Sequence, residues 1–123
     1  MSKGLLAQDV SKIPKLKTQL ATATADSDRV DALSLLCFSY SIVHTDTALM
    51  YGNSAMKLAE KIKYAKGIAD SYNTLGWTYF HKGDYVKAEE HLQSSLEKFR
   101  TIGNKTFIKK TILKFTATYW YYF

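Results

Sequence analysis

The chain repeats itself. Set against its own sequence at an offset of 40, Leu35 meets Leu75, Ala48 meets Ala88, Ser54 meets Ser94, Met56 meets Leu96 and Ile62 meets Ile102. The register continues downstream, where Ile68 meets Ile108, Leu75 meets Phe115 and Tyr79 meets Tyr119. A period of this length marks a supersecondary unit that cannot bury its apolar face alone and so stacks on its neighbours. Such a stack offers a long grooved surface rather than a pocket of catalytic groups, which points to binding and away from chemistry.

The units are helical. After Pro14, the run Leu16 to Ala23 reads as a short helix closed by the polar stretch Thr24 to Asp28. Asp28 is the expected N-cap of a helix carrying Val30, Leu33, Leu36 and Cys37 at helical spacing and fading near His44. Thr45 or Asp46 is the expected cap of the next, with Ala48, Leu49, Ala55, Met56, Leu58, Ala59 and Ile62 on its apolar stripe. A hinge over 63–67 leads to a helix from about Ile68 to Lys82, ended by Gly83 in a left-handed conformation, and Asp84 caps a helix from Tyr85 to about Thr101. Gly103-Asn104 breaks it, and a last helix is expected from about Thr106 onward. No apolar alternation bounded by hairpin turns is present, so the expected class is all-α, with consecutive helices packed antiparallel.

The most regular segment places Tyr72, Leu75, Gly76, Tyr79, the turn Gly83-Asp84-Tyr85 and Ala88 in an order that resembles the tetratricopeptide repeat. The physical content of that order is that Gly76 and Ala88 are small where two helices cross, while Tyr72, Leu75 and Tyr79 fill the space around the crossing. The period of 40 exceeds the family's usual length of about 34. In this register the first unit puts Ala32, Leu36 and Ser39 at the aromatic, small and tyrosine positions, and the third unit has Thr116 at the small position. The resemblance implies an α-α superhelix of about five helices in a single domain. Its parts are an N-terminal capping helix (1–27), a degenerate repeat (28–67), a well-formed repeat (68–107) and a half repeat (108–123).

In stacks of this family the first helix of each pair lines a concave groove. That template assigns Leu33, Cys37 and Tyr40 in the first unit, Asp70, Asn73, Trp77 and His81 in the second, and Lys110, Leu113, Lys114 and Ala117 in the third. Asn73 carries an amide able to pair with both groups of an extended peptide backbone, and Trp77 offers a flat apolar anchor. The competing reading packs Trp77 between units and leaves Asn73 in solvent. Some family members clamp a terminal carboxylate. Lys110 and Lys114 match that clamp, but Leu33, Cys37 and Thr74 break it, so binding of chaperone tails is not expected.

The formal charge of +6 is spread along the chain, the nearest thing to a cluster being Lys105, Lys109, Lys110 and Lys114. Nucleic-acid binding would need a basic stripe or a reader motif, so a solvated lysine-rich surface is the better reading. His44, His81 and His91 share no metal-ligand spacing with each other or with Cys37, and no nucleophile elbow, phosphate loop or carboxylate pair is present, so no enzyme, metal or cofactor is expected. Cys37 lies in an apolar run and reads as a small hydrophobe. No stretch has the length and apolarity to cross a bilayer.

As written the chain reads as cytoplasmic. Gly4 to Asp9 nonetheless looks like the tail and cleavage region of a secretory signal peptide, and a start further upstream would make the domain periplasmic. The aromatic tail Tyr119 to Phe123 leaves a sticky surface, which suggests a piece of a longer array, with a homo-oligomer covering the exposed end. The expected function is non-catalytic binding of a peptide or helix of a partner protein. The alternative is the sensory or dimerisation region of a larger bacterial signalling protein such as a sensor kinase, whose input regions have lengthened repeats of this kind.

Overall fold

Pro14 stands in the first turn of the first described helix, where its missing N–H is no loss. The computed structural model describes residues 10–103. Five helices run through them: α1 (Ile13–Thr22), α2 (Asp26–Tyr40), α3 (Thr45–Lys61), α4 (Ala65–Lys82) and α5 (Tyr85–Ile102). No strand occurs among the described residues. The helix expected from Thr106 lies outside them.

Several helix ends differ from expectation: α1 begins at Ile13, three residues before Leu16, and α2 ends at Tyr40 rather than near His44. α2 begins at Asp26 rather than after Asp28, so Asp28 sits in the first turn and is not the cap. Its N-cap is Ala25, which offers no side-chain acceptor; Arg29 reaches back to the Ala23 carbonyl and to Asp26 and ties the turn down. Asp26 and Asp28 complement the positive end of the helix. α3 is capped by neither Thr45 nor Asp46. The cap is His44, whose Nδ1 accepts from the Thr47 backbone N–H at 3.2 Å and lies 2.7 Å from the Thr47 hydroxyl. α4 starts at Ala65, three residues before Ile68, after Lys63 has turned the chain with φ 55.

The α4–α5 turn forms as its sequence predicts. Gly83 adopts φ 92, its N–H reaches the Phe80 carbonyl, and the Asp84 N–H reaches the Tyr79 carbonyl at 2.9 Å. This closes the orphan carbonyls of α4. The Asp84 carboxylate then accepts from the Lys87 N–H at 3.2 Å and starts α5.

Each helix packs on its neighbour in the chain: α1 on α2, α2 on α3, α3 on α4 and α4 on α5. The one further close approach is between α2 and α4, whereas no Cα atoms of α3 and α5 come within 8 Å of each other. The first helices of the two pairs therefore approach each other while the second helices splay, which curves the stack with α2 and α4 on its inner side. Apolar burial holds it together. Val30, Leu36, Leu92 and Phe99 are fully enclosed, and burying a side chain of this size stabilises a fold by about 1.5–3 kcal/mol.

The seam between α2 and α4 is made of small polar groups. Ser34 Oγ lies 3.4 Å from Ser71 Oγ, and Cys37 Sγ lies 3.5 Å from Thr78 Oγ1. Ser71 and Thr78 also donate to carbonyls one turn back in α4, at 2.7 Å and 2.8 Å, so these buried hydroxyls are paired within their own helix.

Candidate inner face

The two helix pairs are not related by a single offset. The second helices align at 40: Ala48 with Ala88, Gly52 with Leu92, Ala55 with Ser95 and Ala59 with Phe99 are buried in both. The first helices align at 39. Val30 with Ala69, Ala32 with Ser71, Ser34 with Asn73, Leu36 with Leu75, Cys37 with Gly76 and Ser39 with Thr78 are all buried. At an offset of 40, Leu75, 2% exposed, would instead be matched with Leu35, 50% exposed. The expected equivalence of Leu35 with Leu75 is thus corrected to Leu36 with Leu75.

The cause is the turn within each pair. Four positions separate Tyr40 from the cap His44, and five separate Tyr79 from the cap Asp84. In the corrected register the first unit carries Leu33, Leu36, Cys37 and Tyr40 where the second carries Tyr72, Leu75, Gly76 and Tyr79. In this register a small residue, Cys37, and a tyrosine, Tyr40, stand where the second unit has Gly76 and Tyr79, while Leu33 stands where it has the aromatic Tyr72.

The helix crossings confirm this. A Cβ on Gly76 would lie 2.9 Å from Leu92 Cγ, so α4 and α5 meet with the glycine on the first helix and the large residue on the second. A Cβ on Gly52 would lie 2.7 Å from Cys37 Sγ and 2.5 Å from Leu75 Cδ2. In the first pair the glycine is on the second helix, at the position equivalent to Leu92.

These placements move the residues assigned to the groove. Tyr40 stacks on Tyr51 of α3 with ring centroids 5.6 Å apart, packs against Cys37, Ala48 and Leu75, and has Lys17 Nζ 5.8 Å above its ring. It sits inside the pair rather than on the inner face. Leu33 and Cys37 likewise occupy the aromatic and small positions of the repeat. The first-unit positions equivalent to Asp70, Asn73 and Trp77 are Asp31, Ser34 and Phe38, which the offset of 40 missed. The spacing Leu33, Leu36, Cys37, Tyr40 was the signal that could have found them.

In the second unit, Asp70 is half-buried and accepts from Lys66 Nζ at 2.9 Å. Burial opposes the Lys66 charge, but the hydrogen bond to Asp70 and the attraction of its carboxylate raise the lysine above its ordinary pKa. Asp31 accepts from the Tyr64 hydroxyl at 3.0 Å; burial, then this bond, raises the phenol. Asn73 is only 7% exposed, against the expectation of a solvent-facing amide. Its first-unit equivalent, Ser34, belongs to the α2–α4 seam.

Trp77 is half-buried and stacks on Phe80 at 5.2 Å, and the His81 ring meets it edge-on at 4.7 Å. His81 lies at an exposed position, yet these rings displace water from it, and burial lowers its pKa below the ordinary histidine value. Lys110 and Lys114 lie outside the described residues, as does the aromatic tail. Among the described residues no group of three histidine, cysteine or acidic side chains is placed to hold a metal ion. No described helix is long and apolar enough to cross a membrane.

Helix pairs of this build, with small residues at each crossing and a capped turn inside each pair, are matched by the family model described as tetratricopeptide repeat over residues 28–101, more than half of the chain. The chain belongs to the tetratricopeptide repeat family. Tetratricopeptide repeats generally mediate protein–protein interaction, and the family is generally non-catalytic. The matched span begins in α2 and ends in α5, so it covers both helix pairs. No curated protein and no solved structure matches the chain.

Proposed function

We propose that this tetratricopeptide domain is a non-catalytic module that binds a peptide or helix of a partner protein along the inner side of α2 and α4. The observation that supports this reading is that the first helices bring Cα atoms within 8 Å of each other while the second helices do not, as a stack curving toward α2 and α4 would. Along that side the contact positions are Asp31 and Phe38 in the first unit and Asp70, Trp77 and His81 in the second, with Asn73 of the same series largely buried. Lys110 and Lys114 continue the series by sequence. The mixture of carboxylates and flat aromatic groups suits an extended segment with alternating polar and apolar side chains.

Selection of binding peptides from a displayed library on the whole chain, followed by titration against variants, tests the reading. Asp70→Asn and His81→Ala should each weaken the selected peptide while the far-ultraviolet circular dichroism stays helical. Trp77→Ala should do the same; if it unfolds the domain, Trp77 is packing and not contact. A set of peptides that binds all variants equally would sink the proposal.

The lengthened second helices, of 17 and 18 residues, favour a second reading in which the same scaffold is the sensory or dimerisation region of a larger signalling protein. The encoding DNA on either side decides it: an adjoining kinase or effector region supports it, and unrelated neighbouring genes oppose it. Self-association through the aromatic residues Tyr119 to Phe123 belongs to that reading, and a clean monomer by light scattering at high concentration would remove it.

A further inference from the structure

Beside the inner face, α1 and α2 line an open cavity of about 350 Å³. The chain reverses between Thr22 and Asp26, so along α2 the lining residues Asp28 and Asp31 stand nearer the turn than Leu35. Ala32 lies between them on α2. The lining is thus acidic at one end and apolar at the other, and Leu35 is a large apolar side chain left half exposed at its edge.

The local charge opposes that of the chain as a whole. α2 carries Asp26, Asp28 and Asp31 against a single cation, Arg29. Arg29 is held by Asp26 and by the Ala23 carbonyl. The Tyr64 hydroxyl donates to one oxygen of Asp31, and an ionised carboxylate has capacity for several more donors. Lys66 of α4 also acts electrostatically on Asp31, and its own hydrogen bond goes to Asp70 at 2.9 Å. In a chain of net charge +6, attraction of a cation to this place cannot come from the overall field and must come from these side chains.

We infer that the cavity receives a basic side chain of the partner, a lysine or arginine whose aliphatic stem lies along Leu35 and Ala32 and whose charged end reaches Asp28 and Asp31. Long basic side chains bury their stems on apolar surface while their heads keep polar partners, and charge-assisted hydrogen bonds to two carboxylates make such a contact directional. The two carboxylates would repel a phosphate backbone, in keeping with the protein partner proposed above. Asp31 belongs both to the cavity and to the inner face, so the inference deepens the function proposed above and rests on it.

The test uses the whole chain and a fluorescein-labelled capped peptide, Gly-Leu-Lys-Leu-Gly, with a matched peptide carrying glutamate in place of lysine. Anisotropy at low salt should show saturable binding of the lysine peptide and binding weaker by about tenfold or more for the glutamate peptide. The pair Asp28→Asn with Asp31→Asn should weaken the lysine peptide by about tenfold. Leu35→Ser, at an exposed position that does not support the core, should also weaken it. The pair Glu89→Gln with Glu97→Gln on α5 changes the net charge equally and should leave binding unchanged.

Absence of saturable binding overturns the inference, as does equal loss in both charge pairs, or no effect of Leu35→Ser. Asp70→Asn and His81→Ala separate the two claims. Loss confined to these α4 variants overturns the cavity and leaves the inner face, whereas loss confined to the cavity variants overturns the extension of the site onto α4 and leaves the cavity.

Discussion

The two helix pairs solve one packing problem in opposite ways. In the second pair the first helix gives way, with Gly76 against Leu92; in the first pair the second helix gives way, with Gly52 against Cys37. Close approach of two backbones needs one small residue at the crossing and does not specify which helix supplies it. A repeat can therefore lose its signature glycine and keep its geometry, provided the facing position becomes small. A search for the glycine alone would miss this.

The largest effect should come from the residues that distinguish the two registers. Leu36→Ala should destabilise by about 2–5 kcal/mol, the range for emptying a buried leucine site. Leu35→Ala should stay within about 0.5 kcal/mol of the parent. Chemical denaturation of both variants decides the register, because an offset of 40 would reverse the order.

Gly52→Leu comes next, with an expected cost of about 1–3 kcal/mol or more for overpacking the first crossing. Adding Cys37→Gly reproduces the arrangement of the second pair. Since Leu75 also faces Gly52, the rescue should be partial, and a double-mutant cycle should show a favourable coupling of about 0.5–3 kcal/mol. A coupling of zero would mean that the crossings are not equivalent.

The caps give a smaller contrast. His44→Ala and Asp84→Ala should each cost about 0.5–2 kcal/mol. His44→Asp should hold or raise the melting temperature, because a carboxylate at the same place also complements the helix dipole.

The smallest effect is a pH dependence at His81, whose equivalent in the first unit, Ile42, cannot titrate. The folded pKa of His81 is lowered by burial, so above its unfolded value of about 6.5 both states are neutral and stability is full. As the pH falls through that value the unfolded chain takes up a proton first, and stability declines until the pH reaches the folded pKa. The melting temperature should therefore drop more between pH 7 and pH 5 in the parent than in His81→Gln, by thermal scans over roughly this interval. Equal slopes would contradict the shift.

Much of this architecture was legible in advance because it rests on local chemistry. Gly83 ends a helix, since its left-handed conformation is strained for other residues, and Asp84 starts one because its short carboxylate meets the free N–H groups of the first turn. The second-helix register followed from Ala48 and Ala88. What misled was adjacency: Leu35 and Leu36 are both large and apolar, and only burial tells which faces the core. The cap at His44 was hidden because imidazole is not among the usual capping groups. The start of α2 at Asp26 was hidden because a polar stretch reads as a turn.

The inner face was legible only through the family pattern, and a one-residue slip in that pattern moved the first-unit equivalents of Asn73 and Trp77 from Leu33 and Cys37 to Ser34 and Phe38. By itself the sequence determined that the chain is a stack of helix pairs, where three of its turns fall and which residues seat its second helices. Capping groups, glycines and apolar periodicity act over one or two turns and are written in consecutive residues. The tertiary structure decided the register of the first helices, the small residue at each crossing and the side of the stack that curves inward. Each of these is a contact between residues far apart in the chain, which a loop shorter by one residue can shift without leaving a local sign.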